Sequence, residues 1–336
     1  MLVVFFRLDK TSALGEEAEV RDAHETLRRV VDLSRAFCGV NPCNASPTVI
    51  VGLNMQNSLE SFKPKFLNDL IRVGGNSDGG YVVNERSIRS SQYLLSFGVN
   101  ADWSFEEECL NRKPNLKVFC FDHSVSKRVF LNRILDALKG VLSGRFLMSV
   151  LSLNVREVRY RLSILKYWTK IFFRFSFFFD NKNVHFSSKG ISSERSQRFV
   201  VLDDVFQMIS PEKLPENSVF IKMDIEQSEF VVLPGLLKFQ AYICAMVVEF
   251  HDLDILWTSF VEIMNKLMAH FEITHIHGNN YGGLIPNSTT PKVLEITFLK
   301  KNLIREERPA CATVAYPIPD LDSPNNRREK DYALIF

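Results

Sequence analysis

The sequence has few tryptophans, almost no net charge and no clear membrane-spanning run of apolar residues. Its 336 residues include 28 Phe but only 3 Trp, and the formal net charge at pH 7 is +2. Hydrophobic residues make up 46% and charged residues 24%, which is the balance of an ordinary globular protein. This composition excludes a disordered chain, a collagen-like repeat and a polytopic membrane protein.

The cysteines lack the spacing of a zinc site. Only Cys38 and Cys43 among the six are close in sequence, and no CxxC or CxxxH pattern accompanies them. Cys120 and Cys244 lie within apolar runs, which is typical of buried thiols. These patterns favour a reducing compartment and a cytoplasmic location. The apolar N-terminus, which ends at Arg7, is too short for a signal peptide, and an anchor on a longer natural N-terminus would allow the secretory pathway.

The small net charge hides a strongly basic segment. Residues 124–200 contain 15 Lys and Arg but only 4 Asp and Glu, a net charge of +11, so the rest of the chain carries −9. A basic segment in an otherwise acidic protein favours an anionic substrate or a membrane surface as the partner, and we expect no nucleic acid. A solvated basic face is the alternative.

Three parts of the chain differ in character. Residues 1–64 predict an N-terminal helical extension, with an amphipathic helix at Glu16–Phe37. Residues 65–310 predict the main domain, which is interrupted by an insertion or cap at about 124–200. Residues 311–336 predict a C-terminal tail packed on that domain.

Apolar strand-like runs alternate with helical stretches along the main domain. Such alternation predicts βαβ units, and hence an α/β fold with a mostly parallel sheet and helices on both faces. The predicted strands are Tyr93–Phe97, Lys117–Phe121, Ser218–Met223, Ala245–Phe250, Ile273–His277 and Val293–Phe298. The predicted helices between them are Ser104–Arg112, Glu229–Leu237 and Leu256–His270.

The basic segment contains two further predicted helices, Val125–Leu142 and Leu162–Phe179. In the second, Lys166, Lys170 and Arg174 recur every fourth residue and therefore share one helix face. Cations beside Trp and Phe side chains are typical of an interfacial helix, but the favoured interpretation is a cap or insertion on the substrate side. An element packed on the core and peripheral contact with a membrane are the alternatives, and the alternating end of the run also allows a strand.

A turn containing glycine follows the first predicted strand. Gly98 lies in this turn, and Ser104 is placed to cap the next helix. Asp122 ends the following strand 24 residues after Gly98, where a carboxylate can accept hydrogen bonds from both hydroxyls of a ribose. Ser96 and Asn100 occupy the other two positions at which a dinucleotide-binding turn has glycine. The turn and the acid together predict a site for a nucleotide-like ligand.

Acidic side chains and a histidine end two further predicted strands. Asp224 and Glu226 follow one strand, and Glu249 and His251 lie at the end of the next. The carboxyl ends of parallel strands share the edge at which α/β sheets bind their ligands. Asp224 or Glu226 is therefore a candidate to hold a ligand, a divalent cation or a proton, and His251 is a candidate general base. Glu229 is expected to cap the next helix.

A pair of histidines precedes a loop rich in amides. His275 and His277 share one face of a predicted strand because side chains alternate, and Asn279 and Asn280 follow them. We expect His277, Asn279 and Asn280 to bind hydroxyl groups of the substrate. A divalent-metal site formed by the histidines and the acidic strand ends is the disfavoured alternative, so we expect no metal.

These segments, in this order, resemble the FkbM-like family of S-adenosylmethionine-dependent methyltransferases, in its animal branch. The resemblance covers roughly residues 65–336, and Gln227 stands where the family usually has glycine. The matching segments are residues 78–81 (DGGY), 96–106 (SFGVNADWSFE), 121–122 (FD), 222–226 (KMDIE), 249–251 (EFH), 275–280 (HIHGNN) and 317–325 (PIPDLDSPN).

The resemblance implies a seven-stranded, mostly parallel, Rossmann-like sheet that binds S-adenosylmethionine. It implies that Gly98 lies against the amino-acid part of this cofactor and that Asp122 lies on its ribose. Asp203 and Asp204 match the acidic turn that precedes the fourth strand in the family. The residues that it predicts to bind the cofactor are Ser96, Gly98, Asn100, Asp102, Asp122, Asp203, Asp204 and Asp224.

The expected reaction is O-methylation of a hydroxyl group on a glycan or small-molecule acceptor. The basic insertion at 124–200 is expected to close over the site and to select an anionic or sugar acceptor. His251 is the predicted base, and Asp224 and Glu249 are predicted to orient it or the acceptor. The alternative is a catalytically inactive methyltransferase fold that binds anionic lipid or glycan. A nicotinamide-dependent dehydrogenase is disfavoured because the turn after the first strand lacks the repeated glycines that let a pyrophosphate approach.

Overall fold

A computed structural model describes residues 59–209, 214–304 and 315–336. The amphipathic helix predicted at Glu16–Phe37, and most of the predicted N-terminal extension, lie outside the described residues. The strands in the described part are β1 (Leu70–Val73), β2 (Tyr81–Asn84), β3 (Tyr93–Phe97), β4 (Lys117–Phe121), β5 (Val184–Ser187), β6 (Gly190–Ile191), β7 (Phe199–Val200), β8 (Val219–Met223), β9 (Ile243–Phe250), β10 (Phe271–Gly278) and β11 (Leu294–Lys300).

The helices of the described part mostly connect these strands. They are α1 (Glu85–Ser90), α2 (Ser104–Arg112), α3 (Lys127–Val141), α4 (Gly144–Leu151), α5 (Val155–Phe179), α6 (Leu202–Ile209), α7 (Glu229–Leu236) and α8 (Leu253–Met268). Single 3-10 turns occupy Leu237–Phe239 and Lys301–Leu303.

Seven of the strands form one mostly parallel sheet. Their order across the sheet is β10-β11-β9-β8-β3-β4-β5. Strands β9, β8, β3, β4 and β5 run parallel, and β11 is antiparallel to both of its neighbours, β9 and β10. The predicted fold class, an α/β protein with a seven-stranded and mostly parallel sheet, is confirmed.

The strand order reverses beside β3. The chain moves outward from β3 through β4 to β5 and then returns to β8 on the other side of β3. Phe97, the last residue of β3, lies in register with Phe121 of β4 and with Met223 of β8. The loops that follow these strands therefore emerge at one level, beside a reversal of strand order, which is where open α/β sheets bind ligands.

The core consists of the apolar strands and the helix faces packed on them. All eight residues of β9 are buried, as expected for a strand covered on both faces. Aromatic rings extend this core, because Phe105 of α2 lies edge-on to Tyr81 at 5.6 Å and to Phe220 at 5.9 Å. Cys120 and Cys244 are fully buried, which confirms their prediction as interior residues.

The basic insertion forms a helical hairpin, by which we mean residues 127–179 with α3, α4 and α5. The predicted second helix is longer than expected, since α5 spans Val155–Phe179, and the alternating end of the run is helical rather than a strand. Only the base of the hairpin joins the core, where Phe175 and Phe178 pack against Trp103. Among the described residues, no helix combines the length and the apolar character needed to cross a bilayer.

Candidate active site

The turn after β3 brings two strands into close contact. Gly98 has a φ of 79°, and a Cβ at this position would overlap the backbone carbonyl oxygen of Asp224 at the end of β8. Both the positive φ and the close approach of this carbonyl require glycine at position 98. The amide of Gly98 donates to the carbonyl of Phe121 at 3.0 Å, and its carbonyl accepts a hydrogen bond from the ammonium of Lys222.

Asp122 is fully engaged by the chain itself. One carboxylate oxygen accepts the amides of Val99 at 2.9 Å and Asn100 at 2.8 Å. The other accepts the amide of Ser124 at 2.7 Å and its hydroxyl at 2.6 Å. Burial alone would raise the pKa of Asp122, but these hydrogen bonds together lower it. A carboxylate offers about four accepting positions, so the predicted ribose contact would have to replace some of these bonds.

His251 lies among four carboxylates at the end of β9. Its Nδ1 is 3.1 Å from Oε1 of Glu229. Its Nε2 is 3.8 Å from one oxygen each of Asp224, Glu226 and Glu249, which is too long for a hydrogen bond. The sequence-predicted residues His251, Asp224 and Glu249 are thus brought together. We call them, with Tyr81, the acidic cluster.

Tyr81 and Asn279 complete the surroundings of Glu249. The Tyr81 hydroxyl lies 3.1 Å from Glu249 and 3.4 Å from Asp224, and the Asn279 side-chain amide donates to the other oxygen of Glu249 at 2.8 Å. Burial first, and then the charges of Asp224 and Glu249, raise the pKa of the Tyr81 hydroxyl. Tyr81 therefore stays protonated and can donate to either carboxylate.

Buried charges of the same sign perturb the acidic cluster strongly. Burial, and then the neighbouring charge of Asp224, raise the pKa of Glu249 well above its ordinary value. Burial alone would lower the pKa of the His251 imidazole, but its hydrogen bond with Glu229 and the nearby charge of Glu249 raise it to about 10. The imidazole therefore carries a proton at neutral pH, and its Nδ1–H donates to Glu229.

Lys222 supports the acidic cluster from inside the sheet. Its ammonium is buried and lies 3.5 Å from Asp224. Burial would lower the pKa of Lys222, but the charges of Asp224 and of buried Glu106 outweigh this and raise it. Ser96, predicted to bind the cofactor, is fully buried in β3 and donates to Glu106.

The acidic cluster contains three side chains whose ligand atoms could hold a metal ion. One ligand atom each of Asp224, Glu249 and His251 lies within 4.8 Å of the others. The two histidines of the disfavoured alternative have other partners, because His275 lies 3.1 Å from Asp322 and His277 pairs with Glu295 and Asp331. Protonation of His251 and the nearby ammonium of Lys222 both compete with a cation at this position.

The C-terminal residues engage the predicted substrate-binding side chains. His277 lies 3.1 Å from Glu295 and 2.9 Å from Asp331. Burial would lower the pKa of the His277 imidazole, but these two hydrogen bonds outweigh burial and raise it to about 10. The Asn280 amide donates to the carbonyls of Asn326 and Lys330 at 3.1 and 3.3 Å.

These partners restrict the predicted substrate-binding role. His277, Asn279 and Asn280 are each at least 95% buried. Asn279 also accepts the Tyr281 amide at 2.9 Å, so its oxygen is engaged as well. Substrate binding by these three residues stays a prediction, and it requires the internal contacts to open.

Four other residues that were predicted to bind the cofactor have partners within the chain. Asn100 has a φ of 43° and donates its amide to the carboxylate at the end of β4. Asp102 is exposed and accepts the Ser104 amide at 2.9 Å. The prediction that Ser104 caps α2 is wrong, because Ser104 is the first residue of that helix and Trp103 occupies the capping position. Asp203 pairs with Lys238, and Asp204 with Arg195, on the first turn of α6. Neither of the last two joins the acidic cluster.

Three residues of the site had no predicted role in it. Tyr81 and Lys222 stand within the DGGY and KMDIE segments, so the resemblance contained the signal that they matter. Glu229 does cap the turn before α7, accepting the Ile225 amide at 3.0 Å, but the same oxygen also holds His251. No local sequence pattern predicts this second contact, because it joins residues 22 positions apart.

Two solved structures show weak likenesses to the chain. No protein-family model and no curated protein matches the chain. A precorrin-6Y C5,15-methyltransferase from Geobacter metallireducens GS-15 is similar at 14% identity and a TM-score of 0.29, over 64% of this chain and 84% of that one. An O-methyltransferase from Bacillus cereus, solved in complex with SAH, is similar at 11% identity and a TM-score of 0.30, over 82% and 91%. Both TM-scores are low, so the fold assignment rests on the strand order.

Proposed function

We propose that the chain is an S-adenosylmethionine-dependent methyltransferase that O-methylates a hydroxyl group of a glycan or small-molecule acceptor. The observation that carries the proposal is the acidic cluster, which gathers Asp224, Glu249 and His251 at the point where strand order reverses. Perturbed titratable groups in such a position are candidates for proton transfer. The family resemblance of the same segments supports methyl transfer as the chemistry.

The donor set at this edge fits a cationic cofactor. Even with Glu249 protonated, the carboxyl groups of Asp224, Glu226 and Glu229 outnumber the two cations, Lys222 and His251, so the site favours a ligand that brings positive charge. S-adenosylmethionine carries a sulfonium, which supplies an electrophilic methyl group when the cofactor is bound. The Gly98 turn and Asp224 are the groups proposed to hold it.

In this proposal the chain's own side chains orient the acceptor and take its proton. His251 is already protonated at neutral pH, so we assign proton acceptance to Asp224, whose side chain is 30% exposed and therefore accessible. The His251 imidazolium stabilises the cluster of carboxylates, and Glu249 orients Tyr81. His251 as the base remains the alternative assignment, and the pH profile discussed below separates the two.

Calorimetric titration with S-adenosylmethionine and with S-adenosylhomocysteine tests the proposal. The wild type should bind both, and Asp224→Asn, which keeps the shape of the side chain but removes its charge, should bind the sulfonium form more weakly. Asp254→Asn is the matched control, because Asp254 lies on α8 and pairs with Lys292 rather than with a residue of the acidic cluster. A folded wild type that binds neither compound would overturn the proposal.

Turnover is the second readout of the same proposal. Transfer of labelled methyl groups to a panel of sugars and small hydroxylated acceptors should depend on Asp224 and should be unaffected by Asp254→Asn. Transfer that goes only to nitrogen or carbon acceptors would contradict O-methylation while leaving the cofactor site intact.

A further inference from the structure

The helical hairpin extends beyond the core of the described residues. Helices α3 and α5 run antiparallel, since Phe130 near the start of α3 stacks on Trp168, whereas Gly140 near its end accepts a hydrogen bond from Arg161. α5 has 25 residues and so is about 37 Å long. Its C-terminal third packs on the core through Phe175, and we call the N-terminal part of α5, together with α4, the tip of the hairpin.

The tip of the hairpin is unusually apolar for an exposed surface. Of the 19 large apolar side chains that are exposed in the described residues, 14 belong to the hairpin. At the tip, Leu142 and Leu153 are 83% and 82% exposed. Single exposed apolar side chains scattered over a surface are normal, but a contiguous group of them marks an interaction surface. The other exposed apolar residues of the tip are Leu147, Met148, Val150, Leu151 and Val155.

Basic side chains lie directly behind this tip. The hairpin contains 11 Lys and Arg and 2 Asp and Glu, a net charge of +9, and no acidic residue lies between Asp136 and Glu157. On α5, exposed Arg159, Lys166 and Lys170 share the outer face with Leu162 and Phe173. None of these three cations forms an ion pair with a described residue.

We propose that the tip of the hairpin inserts into the surface of an anionic lipid bilayer. The apolar side chains of residues 142–155 would enter the boundary between headgroups and acyl chains, and the cations behind them would contact anionic headgroups. The charge complementarity selects this partner over a neutral apolar one, because a hydrophobic protein surface gives no reason for a net charge of +9. This docking is independent of whether the protein transfers methyl groups.

Vesicle flotation tests the proposal with the full chain. The protein should float with phosphatidylcholine vesicles that contain phosphatidylserine, should float much less with phosphatidylcholine alone, and should be released by high salt. Binding to neither kind of vesicle would overturn the proposal, and so would equal, salt-insensitive binding to both.

Two sets of variants separate the apolar contribution from the charged one. Arg159→Gln, Lys166→Gln and Lys170→Gln together should weaken binding to anionic vesicles by about a hundredfold, at about fivefold for each charge. Leu147→Asp with Leu151→Asp should abolish flotation at every salt concentration. Because these side chains are exposed, folding should be unaffected, which the unfolding temperature checks.

A matched control lies on another helix. Ile255 on α8 is 69% exposed, close to the 70% of Leu151, so Ile255→Asp removes a comparable apolar side chain away from the hairpin. It should leave flotation unchanged. A self-association that Leu147→Asp with Leu151→Asp abolishes, without any binding to vesicles, would overturn the proposal in favour of an interface between two copies of the chain.

Discussion

Replacing Asp122 should destabilise the fold before it affects any ligand. Asp122→Ala removes the acceptor of the Val99 and Asn100 amides and of two groups of Ser124. Val99 is 2% exposed, so its amide loses its partner without gaining water, whereas Ser124 is exposed and is rehydrated. A buried donor left without an acceptor costs about 1–3 kcal/mol, and the solvated bonds add less. We expect a total loss of about 3 kcal/mol.

The loss is measurable by thermal and denaturant unfolding. For a domain of this size, about 3 kcal/mol corresponds to a fall in melting temperature of roughly 6–12 °C. Asp122→Asn, which keeps one accepting oxygen, should lose about half as much. Asp102→Ala is the matched control, because Asp102 lies in the same turn but accepts only the Ser104 amide, and it should cost about 1 kcal/mol or less.

The pH dependence gives an independent check on the charge of Asp122. Its pKa is lowered in the folded state, so its contribution is fully present above the ordinary value of 3.8 and is lost as the pH falls through the folded-state pKa. The stability difference between wild type and Asp122→Ala should therefore shrink in acid. An Asp122→Ala variant as stable as the wild type at neutral pH would refute the structural role, and loss of cofactor binding in such a variant would instead support the ribose contact.

Five other predictions test the acidic cluster and its supporting turns. If His251 is the base, the logarithm of the methyl-transfer rate rises with unit slope up to about pH 10, and a profile without this rise would favour Asp224 as the proton acceptor. The charge on His251 also stabilises the fold: its contribution is complete below the ordinary pKa of 6.5 and is lost as the pH rises through about 10, which denaturant titration follows. Gly98→Ala should cost about 3 kcal/mol or more in denaturant unfolding, because the new methyl group overlaps a backbone carbonyl, and a variant of normal stability would contradict this turn geometry. Gln227→Gly should raise stability by about 1 kcal/mol, since residue 227 has a φ of 75°, and no gain would show that the turn relaxes without strain. Glu249→Gln should stabilise the fold in thermal unfolding above the ordinary pKa of 4.5, where burial penalises the ionised carboxylate, and should slow methyl transfer; a loss of stability would show that the charge itself is needed.

The central sheet could be predicted because its strands are long apolar runs. Tyr93–Phe97 and Lys117–Phe121 have the predicted bounds, and β10 extends the predicted strand at both ends. The short elements were missed. β1 and β2 have four residues each and flank a glycine-rich loop, and β6 and β7 have two each, so no period-2 pattern develops in them. The tip helix α4 was missed because its eight residues, Gly144–Leu151, are too few for a helical period to stand out in the sequence.

The candidate site was predictable only where strand ends carry it. Asp224, Glu249 and His251 could be grouped because parallel strands place their carboxyl ends at one edge. The contacts of Asp331 and Asp322 with the two histidines of β10 join residues about 50 positions apart, and a single sequence contains no signal for such pairs. The hydrogen bonds of Asp122 could not be predicted for another reason. An acidic residue directly after an apolar strand can cap the following turn or bind a ligand, and the sequence pattern is the same in both cases.

Two networks of histidines and carboxylates in this protein differ in a way that bears on function. Around His277, both ring nitrogens lie 2.9–3.1 Å from carboxylate oxygens, so every accepting group close to the ring is paired with it. Around His251, only Nδ1 has such a partner, and Nε2 stands 3.8 Å from three separate carboxylates. A network that serves stability gains by closing all of its hydrogen bonds, because buried charges without close partners are costly. The open geometry at His251 is therefore better explained by proton transfer or ligand binding than by stability, whereas the closed geometry at His277 explains how the C-terminal residues are held.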